Sequence, residues 1–265
     1  MQRREPIFNV PAAVVAVLAI LVGLHLSRQV LPAPLDEELV LTLAFIPARY
    51  AGYAAELPGG EIASWTSFLT HMAVHGDATH LAFNSAWLLA FGGAIALRVG
   101  GLRFLLFGAL TGVAGALAFL AVNPGLLAPV VGASGAVAGM MGGTMRFLFR
   151  GLDMGGVRIL REYPRAIPLM SLGETMRDRR VQLATAVWLL LNALAVVGIG
   201  TGEGRGAIAW EAHIGGFLAG ILGFGWFDRP DAPEAVEEAA EGDEATTAGP
   251  QSGGAAGPRP PPTVH

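Results

Sequence analysis

The sequence predicts an all-α membrane protein: a bundle of six transmembrane helices, with a long outer first loop and a disordered C-terminal tail. Three observations lead there. Hydrophobic residues make up 53% of the chain and charged residues only 14%, with a mean hydropathy of +0.53; a soluble domain carries about 25% charged residues. Six apolar segments follow one another, each approaching the ~20 residues that cross a ~30 Å hydrocarbon core. The basic residues, all 17 of them arginine, gather on alternate connections between those segments.

The segments span residues 12–26, 79–97, 104–122, 130–149, 183–199 and 207–227, the first and fifth being the shortest. The first follows Arg3 and Arg4 as a secretory signal would, but no small-residue cleavage site follows it, so a retained span is expected. With six spans, Arg28, Arg49 and Arg205 fall on one side and the other fourteen arginines on the opposite side. That asymmetry places both termini in the cytoplasm. The domain plan is then a cytoplasmic N-terminus at 1–11, a membrane domain at 12–228 and a cytoplasmic tail at 229–265. Residues 27–78 are too long for a structureless outer loop and are expected to pack as short interfacial helices. Residues 151–180 form an arginine-rich cytoplasmic loop. The tail, rich in Pro, Gly, Ala, Glu and Asp, lacks the large apolar residues a core needs.

Two polar stretches interrupt the apolar helices: Gly132-Ala133-Ser134-Gly135 and Ala212-His213-Ile214-Gly215-Gly216. Polar side chains inside hydrocarbon are costly unless partnered or functional. Ser134 lies 16 residues before Arg150, His213 15 before Asp228, and Asn84 14 before Arg98. At 1.5 Å per residue these are heights of about 24, 22 and 21 Å above the cytoplasmic boundary, a shared level on three helices. Gly135 and Gly139 on the fourth span, and Gly216 and Gly220 on the sixth, clear one face each for close helix packing.

Acyl transfer suits this set. Ser134 becomes a competent nucleophile when a neighbouring imidazole takes its proton, and His213 is the candidate base and later acid. Glu211, two positions away, faces elsewhere, so a Ser–His dyad is expected rather than a triad. His80 and Asn84 share a helix face and can donate to an oxyanion beside the unpaired N–H groups at the start of the Ser134 helix. Asn84 equally suits a bond to another helix. His71, His75 and His80 invite a metal reading, but Asp77 is a poor third ligand and no Cys exists to complete a cluster. No metal, cofactor or nucleic acid is expected. His25 reads as a structural histidine.

The chain resembles the rhomboid family of intramembrane serine proteases. The resemblance rests on His71-Met72-Ala73-Val74-His75-Gly76-Asp77-Ala78-Thr79-His80-Leu81-Ala82-Phe83-Asn84, on Gly132-Ala133-Ser134-Gly135, and on Ala212-His213-Ile214-Gly215-Gly216 continuing to Gly220. It covers about residues 68–227, with the first span ahead of it. It implies Ser134 as nucleophile, His213 as general base, and His80, Asn84 and the Ser134 N–H as oxyanion hole. Gly132 would let the loop approach the site, and His75 would support it. It further implies transmembrane protein substrates cut within or beside the bilayer, an outward-opening cavity, a gate near spans two and five, and residence in a bacterial inner membrane. Two departures stand out. The stretch Ser64-Trp65-Thr66-Ser67-Phe68 lacks the arginine of the family's Trp-Arg pair, and Ala138 replaces the aromatic residue that often stacks on the catalytic histidine. A non-catalytic, client-binding relative is the alternative, and a solute transporter finds no inverted repeat or charged midplane pair. Oligomeric state is not legible.

Overall fold

The computed structural model describes residues 10–196 and 209–230. These residues are mostly helical, and their one β pairing is an isolated antiparallel bridge between Phe45 and Val130. Residues 1–9, the end of the fifth apolar segment, the connection bearing Arg205 and the tail beyond Pro230 lie outside the described residues.

The first apolar segment forms α1 (Ala12–Arg28), which buries Val14, Leu21 and His25 on one face. The long first connection is ordered, as its apolar content predicts. It contains α2 (Ala33–Leu43), two 3₁₀ turns at Pro47–Ala51 and Ala54–Glu56, and α3 (Gly60–Thr70). Arg49 holds it together from inside. Its side chain is buried and donates to the carbonyls of Leu41 and Pro58, each at 2.7 Å, and of Gly60 at 3.5 Å. Hydrogen bonds from a charged donor to carbonyls contribute about 1.5–3 kcal/mol each. Arg28 ties α1 to the same region, gripping Asp36 at 2.6 and 3.1 Å and the carbonyl of His75 at 2.7 Å.

The second segment is α4 (Ala78–Trp87), a π-helical turn at Leu88–Gly92 and α5 (Gly93–Val99), continuous over Ala78–Val99. Asp77 caps it by accepting the N–H of His80 at 2.8 Å. α6 (Gly101–Val122) follows after Gly100, whose φ of +83° favours glycine. These two stretches, 22 residues each, are long and apolar enough to cross a bilayer.

The fourth segment departs from expectation. In place of one helix over 130–149, the chain runs extended to Gly132, begins α7 (Ser134–Met145), breaks at Arg146 and Phe147, and resumes as α8 (Leu148–Glu162). The entry is set by the Phe45–Val130 bridge and by Gly132, whose N–H donates to the His71 carbonyl at 2.9 Å. The exit is set by Arg146, which is buried and donates to the carbonyls of Met170 at 2.8 Å and Ile221 at 3.0 Å. Arg150 therefore lies on a different helix from Ser134 and cannot measure its depth. The arginine-rich connection is largely helical too: α8, broken at Gly155 and Gly156, and α9 (Leu172–Arg177), started by a capping box between Ser171 and Glu174. α10 (Arg179–Val196) begins four residues before the expected span, because Asp178 accepts the Arg180 N–H at 2.7 Å.

α7 is the axis of the bundle, buried at every residue from Gly135 to Met145. It packs against α11 (Trp210–Gly223) backbone to backbone: a Cβ on Gly216 would collide with the Gly135 carbonyl oxygen, and one on Gly220 with that of Gly139. On the α6 side, a Cβ on Gly139 would strike Thr111. Glycine at these positions brings the start of α7 against the start of α11.

Candidate active site

Ser134 is the first residue of α7 and His213 stands in the first turn of α11. Oγ of Ser134 lies 2.7 Å from Nε2 of His213. Both side chains are half-buried at helix N-termini, where the dipoles and unpaired N–H groups favour negative charge. Behind the imidazole, Nδ1 of His213 lies 2.5 Å from Oδ1 of Asn192 on α10. Glu211, on another face, accepts a bond from Nδ2 of Asn123 at 3.0 Å.

The remaining residues surround the approach to Ser134. Gly132 has φ +114°, and a Cβ there would sit 2.6 Å from Nε2 of His80. Any side chain would be strained by the backbone and would displace that ring. His80 stacks edge-on against His75, with ring centroids 5.1 Å apart. His75 is buried, and its Nε2 accepts the Ala133 N–H at 3.5 Å. His71, also buried, directs Nδ1 to the Ser67 carbonyl at 2.8 Å, while its own carbonyl receives Gly132. His71 thus shapes the loop through its backbone, and among the described residues no group of three His, Cys, Asp or Glu could hold a metal ion. Asn84 is buried and spends one Nδ2 hydrogen on the His80 carbonyl at 3.0 Å, while Oδ1 has no partner.

The Rhomboid domain family model matches residues 63–229, more than half of the chain, and takes in every residue of this site. The chain belongs to the rhomboid family. It is similar to the rhomboid protease GluP of Bacillus subtilis, with 25% identity over 168 residues, which is 63% of this chain and 27% of that protein. It is also similar to the putative rhomboid protease YdcA of the same organism, with 36% identity over 91 residues, 34% of this chain and 44% of that one. The chain therefore spans less than half the length of either relative.

Among rhomboids, an integral membrane family, this one holds its histidine without an aromatic residue at 138. Ala138 is buried in an apolar cluster with Met141 and Phe217, against which Trp188 of α10 packs. Trp188 stacks on Phe217 at 5.0 Å between centroids. One helical turn further along α10 is Asn192, a site residue that none of the three motifs contains. Its signal in the sequence is that of the one carboxamide within the fifth apolar segment.

Proposed function

We propose that this rhomboid is an intramembrane serine endopeptidase that cleaves membrane-anchored proteins within or next to a transmembrane segment. The observation that carries the reading is the 2.7 Å approach of Ser134 Oγ to His213 Nε2 at two facing helix starts. Nε2 accepts the Ser134 proton as Oγ attacks the scissile carbonyl, and returns it to the leaving amine. The tetrahedral oxyanion is held by N–H groups at the start of α7, by the free amide hydrogen of Asn84 and by a ring N–H of His80. Water then attacks the acyl carbonyl as His213 takes its proton, and His213 returns that proton to Ser134 Oγ as the C–Oγ bond breaks and the acid leaves. Gly132 leaves space for His80, and His75 supports the loop at Ala133.

The same reading assigns the topology. Six spans place both termini and the arginine-rich connections in the cytoplasm of a bacterial inner membrane, with the site opening outward. Helical amides are already paired, so the substrate must present locally extended backbone. Transmembrane proteins with helix-breaking or small residues at the cleavage point are the substrate class.

The test is reconstitution in liposomes with a panel of single-span reporter proteins. The expected result is cleavage by wild type and none by Ser134→Ala. Reporters that co-purify with a folded wild type yet stay intact would contradict the proposal in favour of a client-binding protein.

A further inference from the structure

We infer that Asn192 is the positioning residue of His213, fixing which ring nitrogen carries the proton. This deepens the protease reading and rests on it. The inference follows from three linked contacts. Nδ2 of Asn192 donates to the Trp188 carbonyl at 2.8 Å. A carbonyl can only accept, so the NH₂ of the carboxamide must face it. Oδ1 is then the atom turned to His213, 2.5 Å from Nδ1, and an amide oxygen can only accept. The proton of the neutral imidazole must therefore sit on Nδ1. Nε2 is left with its lone pair toward the Ser134 hydroxyl at 2.7 Å, the tautomer a general base requires. The chain of bonds runs from the α10 backbone through Asn192 and His213 to Ser134.

The geometry suits a residue that orients rather than ionises. Asn192 lies on the inward stripe of α10 with Val181, Ala184, Thr185 and Trp188, and the Trp188–Phe217 stack anchors that stripe to α11. Ala138 leaves the ring without an aromatic support at that position, and the bond from behind takes over its orientation. A neutral acceptor also leaves His213 without a fixed negative charge behind it. Of the ionisable groups around the ring, His80 on α4 acts on it electrostatically, and Glu211 on its own helix is turned to Asn123.

Three readouts test the inference in full-length protein in bilayer mimetics. Nitrogen-15 NMR of histidine-labelled wild type, with His213→Gln to assign the signal, is expected to show the proton on Nδ1. A proton on Nε2 would overturn the inference, whether or not the protein is a protease. Asn192→Leu, of similar shape but without an acceptor, is expected to lower kcat about 10–100-fold, by analogy with the loss of partners that orient a metal-bound histidine. A full loss of orienting function in a triad costs ~10⁴-fold. Asn192→Asp is expected to rescue much of the rate and to move the acid limb of the pH–rate profile upward, because a carboxylate favours the imidazolium. Wild-type rates and an unmoved acid limb in both variants would overturn it. Should Asn192→Leu fail to fold, the Asp variant and the wild-type tautomer still decide. Absence of proteolysis in wild type with the proton on Nδ1 would count against the enzyme reading and leave the Asn192–His213 bond standing.

Discussion

Gly216 of α11 lies so close to Gly135 of α7 that a single added methyl group would overlap the Gly135 carbonyl oxygen. That approach sets the distance between Ser134, one residue before Gly135, and His213, three before Gly216. Gly216→Ala is expected to destabilise the protein by at least about 1–3 kcal/mol, since the obstructing atom is backbone and cannot rotate away. Activity should fall more than stability does. Gly23→Ala is the control, because nothing lies within 4 Å of its added Cβ. Unfolding in mixed micelles, read beside cleavage rate, checks both.

Arg98 and Asp228 close the arginine-rich end of the bundle. The guanidinium is fully buried and meets the carboxylate at 2.6 and 3.0 Å, with a third bond to the Pro164 carbonyl at 2.6 Å. Removing one partner leaves the other charge buried and alone, at a cost of about 3–5 kcal/mol. Asp228→Asn is expected to show a loss of that order. Arg98→Met combined with Asp228→Leu should cost less than the sum of the single changes, which a double-mutant cycle measures.

Asn84 has one amide hydrogen committed to the His80 carbonyl and one to offer an oxyanion. Asn84→Ala is expected to lower kcat about 10–1000-fold with little change in KM, because the bond strengthens only as charge develops. A change confined to stability would instead assign Asn84 to helix packing.

Glu174 provides a pH-dependent element away from the site. The Ser171 backbone N–H, then the Ser171 side chain and Arg150, hold its carboxyl down at about 2. A carboxylate depressed in the folded state stabilises above its unfolded pKa, and that stability fades as pH falls from about 4.5 toward 2. The start of α9 is therefore expected to lose amide protection across that window, and Glu174→Gln should show no such dependence. Hydrogen exchange over Leu172–Arg177 measures it.

The Ser and His motifs, and the glycine pairs beside them, were legible in combination, since any one of them taken singly suits ordinary packing of membrane helices. The order of the first connection was legible from its apolar content, but not its organiser. Arg49 serves carbonyls 8 to 11 residues away on either side of it, and no sequence motif announces that the chain folds back around it. Ser134 opens its helix because Gly132 and the Phe45–Val130 bridge stop the chain from coiling earlier; hydropathy alone extends the helix back to residue 130. Asn192 is a lone carboxamide in the fifth apolar segment, but no motif adjoins it. Seeking a carboxylate behind the histidine hides it, since an amide serves the same geometry without charge.

The most direct measurement is fluorophosphonate labelling of the purified protein in lipid, with the modified residue mapped by mass spectrometry. An activated serine predicts a single adduct on Ser134 that disappears in His213→Ala, although Ser134 remains. An adduct that persists in folded His213→Ala, or none on folded wild type, would contradict the pairing of Ser134 with His213 as nucleophile and base.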